Sequence, residues 1–181
     1  MCIRDRSTTR EKIVDAAMEI VRTQGAARLT LDEAARVAGV SKGGVLYHFK
    51  CKDDLIRAMV SRLIEQNESL CQRYYHLEPE GPYRWARTIV RAAFDPQGAG
   101  NDPAGAAILA ATALNPNLLE PIRGQFFMWN ERLRSDSPDP DRALLIGMAM
   151  DGLFLDRVTG MLQYDAAQLN RLQASSLALL T

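Results

Sequence analysis

Apolar residues along this chain recur at helical spacing in nearly every segment, and no stretch alternates as a strand would. Ile13, Ala16, Ala17, Ile20 and Val21 mark a first helix that begins near Thr8, at the capping box T-T-R-E, and ends at Gly25. Thr30 to Glu33 (T-L-D-E) opens a second helix as another capping box, with Asp32 adding negative charge to the first turn. Leu31, Ala34, Ala35 and Ala38 form its apolar face, and Gly39 ends it, because a left-handed residue past a helix C-terminus costs glycine nothing. Ser41 is placed to cap a third, short helix, Lys42 to His48, anchored by Val45 and Phe49.

Longer elements follow. Ile56, Met59, Val60, Leu63, Ile64 and Leu70 give a stripe from Lys52 to about Tyr75. That helix is long enough to leave one domain and enter the next, so it is expected to act as a lever. After the break E-P-E-G-P at 78–82, helices are predicted over Tyr83–Phe94, Ala104–Leu114, Leu118–Arg134, Arg142 to about Leu162, and Asp165–Leu180. The Gly- and Pro-rich segment 95–103 is predicted as a mobile loop, and S-D-S-P-D-P-D at 135–141 as a linker. The expected fold class is all-α. An N-terminal helix-turn-helix domain, residues 1–52, is joined by the long helix to a helical ligand-binding and dimerisation domain, residues 53–181. Met1–Ser7 lies outside the helical pattern and reads as a disordered tail without function; the alternative is a basic arm in which Arg4, Arg6 and Arg10 reach phosphates.

Two short helices joined by a tight glycine turn, from Thr30 to Lys52, place the second helix for the major groove of DNA. Gly43 and Gly44 cost that helix roughly 1 kcal/mol each against alanine. Close approach of the backbone to another surface is the natural compensation, and a phosphate backbone fits. Lys42, Leu46 and Tyr47 are left to face outward.

The segment then resembles the tetracycline-repressor family of transcriptional regulators. The matching residues are the helix Thr9–Gln24, L-T at 29–30, A-x-x-A-G-V-S-K-G at 35–43, L-Y-H-F at 46–49 and K-x-K-D-D-L at 50–55, about the first third of the chain. By that resemblance Ser41, Lys42, Gly43, Gly44, Leu46, Tyr47 and His48 belong to the DNA-reading turn and helix, and Thr30 and Lys52 hold phosphates from flanking helix starts. Tyr47 has the chemistry to touch a thymine methyl or a phosphate. For His48, packing on the preceding helix is the equal alternative. Two positions depart from the family's pattern. Cys51 stands where a serine or asparagine often caps the next helix, so that helix start is expected to be less well fixed. Gly44 stands where many members carry a side chain that reaches a base.

Charge sharpens this picture. The net charge is zero, with 22 basic and 22 acidic residues. Residues 1–52 nevertheless carry +4 and residues 53–181 carry −4, and all four lysines (Lys12, Lys42, Lys50, Lys52) fall in the first part. A basic DNA-facing end and an acidic remainder follow. Three cysteines, widely spaced, offer neither a disulfide framework nor a metal site, and the reading is a cytoplasmic protein with no cofactor and no membrane span. Both histidines, His48 and His76, lie outside the second domain's aromatic cluster, and no nucleophile–base pairing is visible, which argues against an enzyme.

In the second domain, bulky Trp85, Ile89, Phe94, Ile108, Phe126, Phe127 and Trp129 mix with small alanines. Such a mixture either encloses a cavity or interdigitates as a tight core. The resemblance favours a pocket for a small-molecule effector, with Trp85, Thr88, Ile89, Ile108, Thr112, Phe126, Phe127 and Asp151 as its lining and Asn115 and Gln125 as further polar handles. Asp151 sits among apolar residues of its helix and must be paired, hydrogen-bonded or near solvent; an arginine such as Arg157 of a partner is one expected pair. The resemblance also implies a homodimer through the last two helices. Its two recognition helices would then meet successive turns of a near-palindromic operator. A ligand-responsive repressor is the function implied; a DNA-binding protein of the same fold, controlled by a protein partner, is the alternative.

Overall fold

The computed structural model describes residues 3–181, with side chains described from Thr9 onward except that of Leu114. Among these residues the regular structure is helical: α1 Ile3–Gln24, α2 Leu31–Ala38, α3 Lys42–His48, α4 Lys52–Leu77, α5 Arg84–Phe94, α6 Pro103–Leu114, α7 Glu120–Ser135, α8 Pro140–Thr159 and α9 Ala166–Ala178. Short 3-10 turns follow α1, precede α6 and precede α7. The all-α expectation holds.

The helix α1 starts at Ile3, upstream of the Thr8 start read from the capping box. Neither glycine nor proline interrupts Ile3–Ser7, so nothing stops the helix from propagating toward the N-terminus. The tail expected over residues 1–7 is therefore helical from Ile3, while Met1 and Cys2 lie outside the described residues.

The chain forms two compact units. Unit 1 holds the residues up to Leu63 together with Pro103–Ile122; unit 2 holds Ile64–Asp102 and Arg123–Thr181. In unit 1, α1 packs on α2, α3 and α6. Its core includes Ile13, Ala17 and Ile20 of α1, Ala34 of α2, Val45 of α3, and Phe49, Leu55 and Met59 around the start of α4. Each large apolar side chain buried there contributes about 1.5–3 kcal/mol. The helix α6 joins this core through Ala104 and Ile108, although it follows α5 in sequence.

Unit 2 is built on Trp85, Tyr83, Ala86 and Val90 of the α5 region, Leu70 and Cys71 of α4, Leu133 of α7, and Ala143, Ile146 and Met150 of α8. The helix α5 packs on both α8 and α9. Gly147 of α8 lies against Leu133 of α7, where an added Cβ would stand 2.9 Å from the Leu133 Cδ1 atom. Its small size therefore serves packing within the chain. Glu78, buried in the E-P-E-G-P break, accepts from Arg87 Nε at 2.9 Å and from Arg91 Nε.

The segment 95–103, read as mobile from its composition, is tied down. Tyr74 Oη donates to Asp95 Oδ2 at 2.6 Å, Asn101 Nδ2 donates to the Asp95 carbonyl at 3.1 Å, and Gly100 packs on Phe154. The hydrogen bond with Asp95 also raises the Tyr74 pKa. These anchors come from α4 and α8, so composition alone does not reveal them.

Candidate nucleic-acid interface

The turn between α2 and α3 is set by local chemistry. Thr30 Oγ1 accepts from the Glu33 N–H at 3.0 Å, and Ser41 Oγ accepts from the Gly44 N–H at 3.1 Å. Both caps satisfy amides that a helix start leaves without partners. Gly39 is left-handed, with φ 66° and ψ 33°. Its N–H reaches the Arg36 carbonyl and the Val40 N–H reaches the Ala35 carbonyl, the paired bonds of a Schellman motif. Val45 and Phe49 are buried and hold α3 against the unit 1 core.

Glu33 departs from the expected capping box. Its carboxylate accepts from Arg36 Nε at 2.8 Å, and that hydrogen bond lowers its pKa. A charge-assisted bond to a guanidinium outcompetes a neutral backbone N–H.

The outward surface of α3 is open. Tyr47 is 55% exposed, and Leu46 and Lys42 also reach solvent. At Gly43 an added Cβ would meet nothing nearer than the Ser41 Oγ at 3.9 Å, and at Gly44 the same oxygen at 3.4 Å. Packing inside the chain therefore does not demand either glycine. His48 is half-buried, edge-on to the Tyr47 ring at 5.1 Å between centroids and 6.4 Å from that of Phe49. Lys42 is engaged: its Nζ lies 2.9 Å from Asp32 Oδ1 of α2.

The start of α4 is better fixed than Cys51 suggested. Asp54, at the third helical position, accepts from the Lys50 N–H at 3.1 Å and from Arg57 at 2.9 Å. The acidic residue was legible in K-x-K-D-D-L; its use as the anchor in place of a capping side chain was not. Lys50 and Lys52 flank this turn on the surface, and Arg10 of α1 lies 5.4 Å over the Phe49 ring.

The residues read as an effector pocket are divided between the units. Ile108 and Thr112 belong to unit 1, and the Thr112 hydroxyl donates to the Leu109 carbonyl of its own helix. In unit 2, Trp85 and Thr88 are wholly buried in the core, with the Thr88 hydroxyl on the Arg84 carbonyl. Ile89 packs against that core from the edge, and Phe126 and Phe127 reach the surface of α7. Asn115 donates to Asp53 Oδ2 at 2.8 Å, a bond from the end of α6 to the first turn of α4 within unit 1. Gln125 donates to Glu68 Oε2 at 3.1 Å, and Trp129 Nε1 donates to the same oxygen at 2.9 Å. Glu68 was not singled out in the sequence; besides Gln72 of its own helix, which donates to Oε1 at 2.8 Å, its partners lie on α7, far along the chain. Asp151 opens to the surface of α8, and the protein around it raises its carboxyl pKa by desolvation. Within its own chain, Arg157 donates to the Ala93 carbonyl at 2.6 Å.

No helix among the described residues is long and apolar enough to cross a membrane, and none of their His, Cys, Asp and Glu groups has a metal-binding arrangement. Residues 13–59 match the family model described as bacterial regulatory proteins, tetR family, and residues 83–181 match the tetracyclin repressor-like C-terminal domain. The transcriptional regulator SrpR of Pseudomonas putida is 43% identical over 53 residues, 29% of this chain and 25% of that protein. AcrR of Shigella flexneri is 36% identical over 83 residues, 45% of this chain and 38% of that protein. These alignments span well under half the length of the curated relatives. Among solved structures, a transcriptional regulator from Rhodococcus sp. Rha1 superposes with a TM-score of 0.74 at 23% identity, covering 94% of this chain and 95% of that one. The multidrug binding protein EbrR, complexed with ethidium, gives a TM-score of 0.68 at 24% identity, covering 96% and 99%. The capped helix pair and both family models, the second covering more than half the chain, lead to one conclusion: this chain belongs to the tetracycline-repressor family of bacterial regulatory proteins.

Proposed function

We propose that this protein is a homodimeric repressor that releases its operator when a small molecule binds. The observation that carries the DNA-reading part is the surface of α3. It is held from behind by Val45 and Phe49 and presents Lys42, Gly43, Gly44, Leu46 and Tyr47 outward. Lys42 and Tyr47 contact DNA directly, and the two glycines let the backbone come close to phosphates. Thr30, Ser41 and Lys52 contribute phosphate contacts at helix starts, where amides and dipole favour anions. His48, half-buried beside Tyr47, orients that ring.

The dimer forms through α8 and α9. On α8, Leu145, Met148 and Leu155 are exposed, with Asp151 on the same stretch, and on α9, Leu172 is exposed. A row of exposed large apolar residues on two successive helices is what a second copy covers. The effector is received in unit 2, where Ile89, Phe126 and Phe127 supply apolar surface and Glu68 supplies a carboxylate held by neutral donors. A carboxylate beside the Phe126–Trp129 ring pair favours an organic cation. The complex of the similar EbrR with ethidium agrees with that reading. Within unit 1, Asn115 links α6 to the first turn of α4, giving a route by which movement of either element reaches α3.

The test is operator binding by Lys42→Ala and Tyr47→Ala, on duplexes selected from a random library with the wild-type protein. Each substitution is expected to weaken binding by roughly 1–3 kcal/mol, about fivefold or more, while the dimer and its helicity are retained. Wild-type affinity in both variants would reject α3 as the reader. Release of the operator complex by a protein but by no small molecule would favour the second reading, for which the neighbouring exposed Phe127 and Met128 of α7 offer a surface.

A further inference from the structure

We propose that Asp32 is a built-in competitor for the DNA-contacting ammonium of Lys42 and sets the protein's affinity for DNA; this rests on Lys42 being a DNA contact. Lys42 Nζ lies 2.9 Å from Asp32 Oδ1 and 3.2 Å from Oδ2, so both carboxylate oxygens engage it. The pair joins the first turn of α2 to the first turn of α3 across the helix-turn-helix, and each side chain is 66% exposed. It is an interaction on the DNA-facing rim, and it buries nothing.

An ammonium held by a carboxylate meets the same chemistry as an ammonium held by a phosphodiester: two anionic oxygens at hydrogen-bond distance. A phosphate that takes Lys42 displaces Asp32. The freed carboxylate then stands within a Debye length of the phosphates and repels them. Lys42 is the long cationic side chain of α3's first turn, since Gly43 and Gly44 follow it. Partnering it with Asp32 cancels the charge of this turn in the free protein. The attenuation acts on any duplex, because it depends on phosphate charge and not on base sequence. A reader that must let go of its operator benefits from an affinity held down in this way. Residues 1–52 carry a net charge of +4, and Asp32 of that segment sits on the proposed reading surface beside Lys42.

The experiment measures affinity across a salt series for an operator duplex and an unrelated duplex, using Asp32→Asn, Asp32→Glu, Lys42→Ala and the double variant Asp32→Asn/Lys42→Ala. Asp32→Asn is expected to bind both duplexes about three- to fivefold more tightly. Its salt dependence should steepen by up to about one unit of log Kd against log salt. Asp32→Glu, which keeps a carboxylate within reach, should stay near wild type. In the Lys42→Ala background, Asp32→Asn should give less than half the logarithmic gain it gives alone. Far-UV circular dichroism of each variant confirms that α2, whose first turn contains Asp32, is intact. Weakened binding by Lys42→Ala without tightening by Asp32→Asn overturns the competitor role alone. A full gain in the Lys42→Ala background also overturns it, since the effect is then bulk charge. Unchanged binding by Lys42→Ala overturns the reading of Lys42 as a DNA contact, and the competitor with it.

Discussion

Cys51 and Cys71 show how one residue type takes two chemistries from its surroundings. Cys51 is exposed at the start of α4, whereas Cys71 is buried in the unit 2 core, where desolvation, with help from Glu68, pushes its thiol up to about 12. Thiolate is the reactive form, so at pH 8 Cys71 carries almost none. In a Cys2→Ser background, a colourimetric disulfide reagent at pH 8 is expected to titrate one thiol quickly. The second should appear only on denaturation; two fast thiols would mean that the Cys71 environment is open. At this scale the sequence is informative where partners are close in the chain. The Thr30 and Ser41 caps were legible because each acceptor serves an amide three residues on. Glu33 was misread because Arg36, equally close, offers a stronger donor. Asn115 and Gln125 read as handles for a ligand, yet their amides go to Asp53 and Glu68, whose proximity no local pattern encodes.

Among the elements, helix extents other than the start of α1 followed from apolar periodicity, and the end of α2 followed from Gly39, while Asp165 starts α9 as a full capping box with Gln168. The breaks between helices carried more structure than their composition suggested. E-P-E-G-P at 78–82 reads as a simple interruption, but Glu78 is buried and binds Arg87 and Arg91 of α5, anchoring the helix to its approach. Removing one partner of a buried ion pair leaves the other charge uncompensated. Because Arg91 is partly exposed, water recovers some of the loss. Glu78→Ala is therefore expected to lower unfolding free energy by about 2–4 kcal/mol in urea denaturation. Glu80→Ala, two residues away at an exposed glutamate, should change it by less than about 0.5 kcal/mol. Equal effects from the two would show that the buried network does not anchor α5.

For the whole molecule, the decisive surface is the exposed face of α8 and α9. Met148 is 68% exposed and Leu145 65%, and with Leu155 they form a run of exposed apolar residues on α8, which a partner helix would cover. Met148→Glu places two added charges in the proposed dimer contact, one from each copy. It is expected to shift the protein toward monomer in sedimentation equilibrium and to weaken operator binding by tenfold or more, since half-sites then bind without their neighbour. A stable Met148→Glu dimer would move the interface elsewhere. The division of labour between sequence and tertiary structure follows from the range of the forces involved. The sequence by itself determined most helix extents, the Thr30 and Ser41 caps and the glycine turn between α2 and α3, because propensity, capping and periodicity act over a few residues. The charge asymmetry between residues 1–52 and 53–181 is likewise a property of the chain. Tertiary structure alone decided that α6 joins the unit that holds the helix-turn-helix, that Trp85 and Thr88 are core, that Glu68 gathers donors from α7, and that Asp32 holds Lys42. Those outcomes depend on which helices pack together, and packing brings together residues that no local pattern relates.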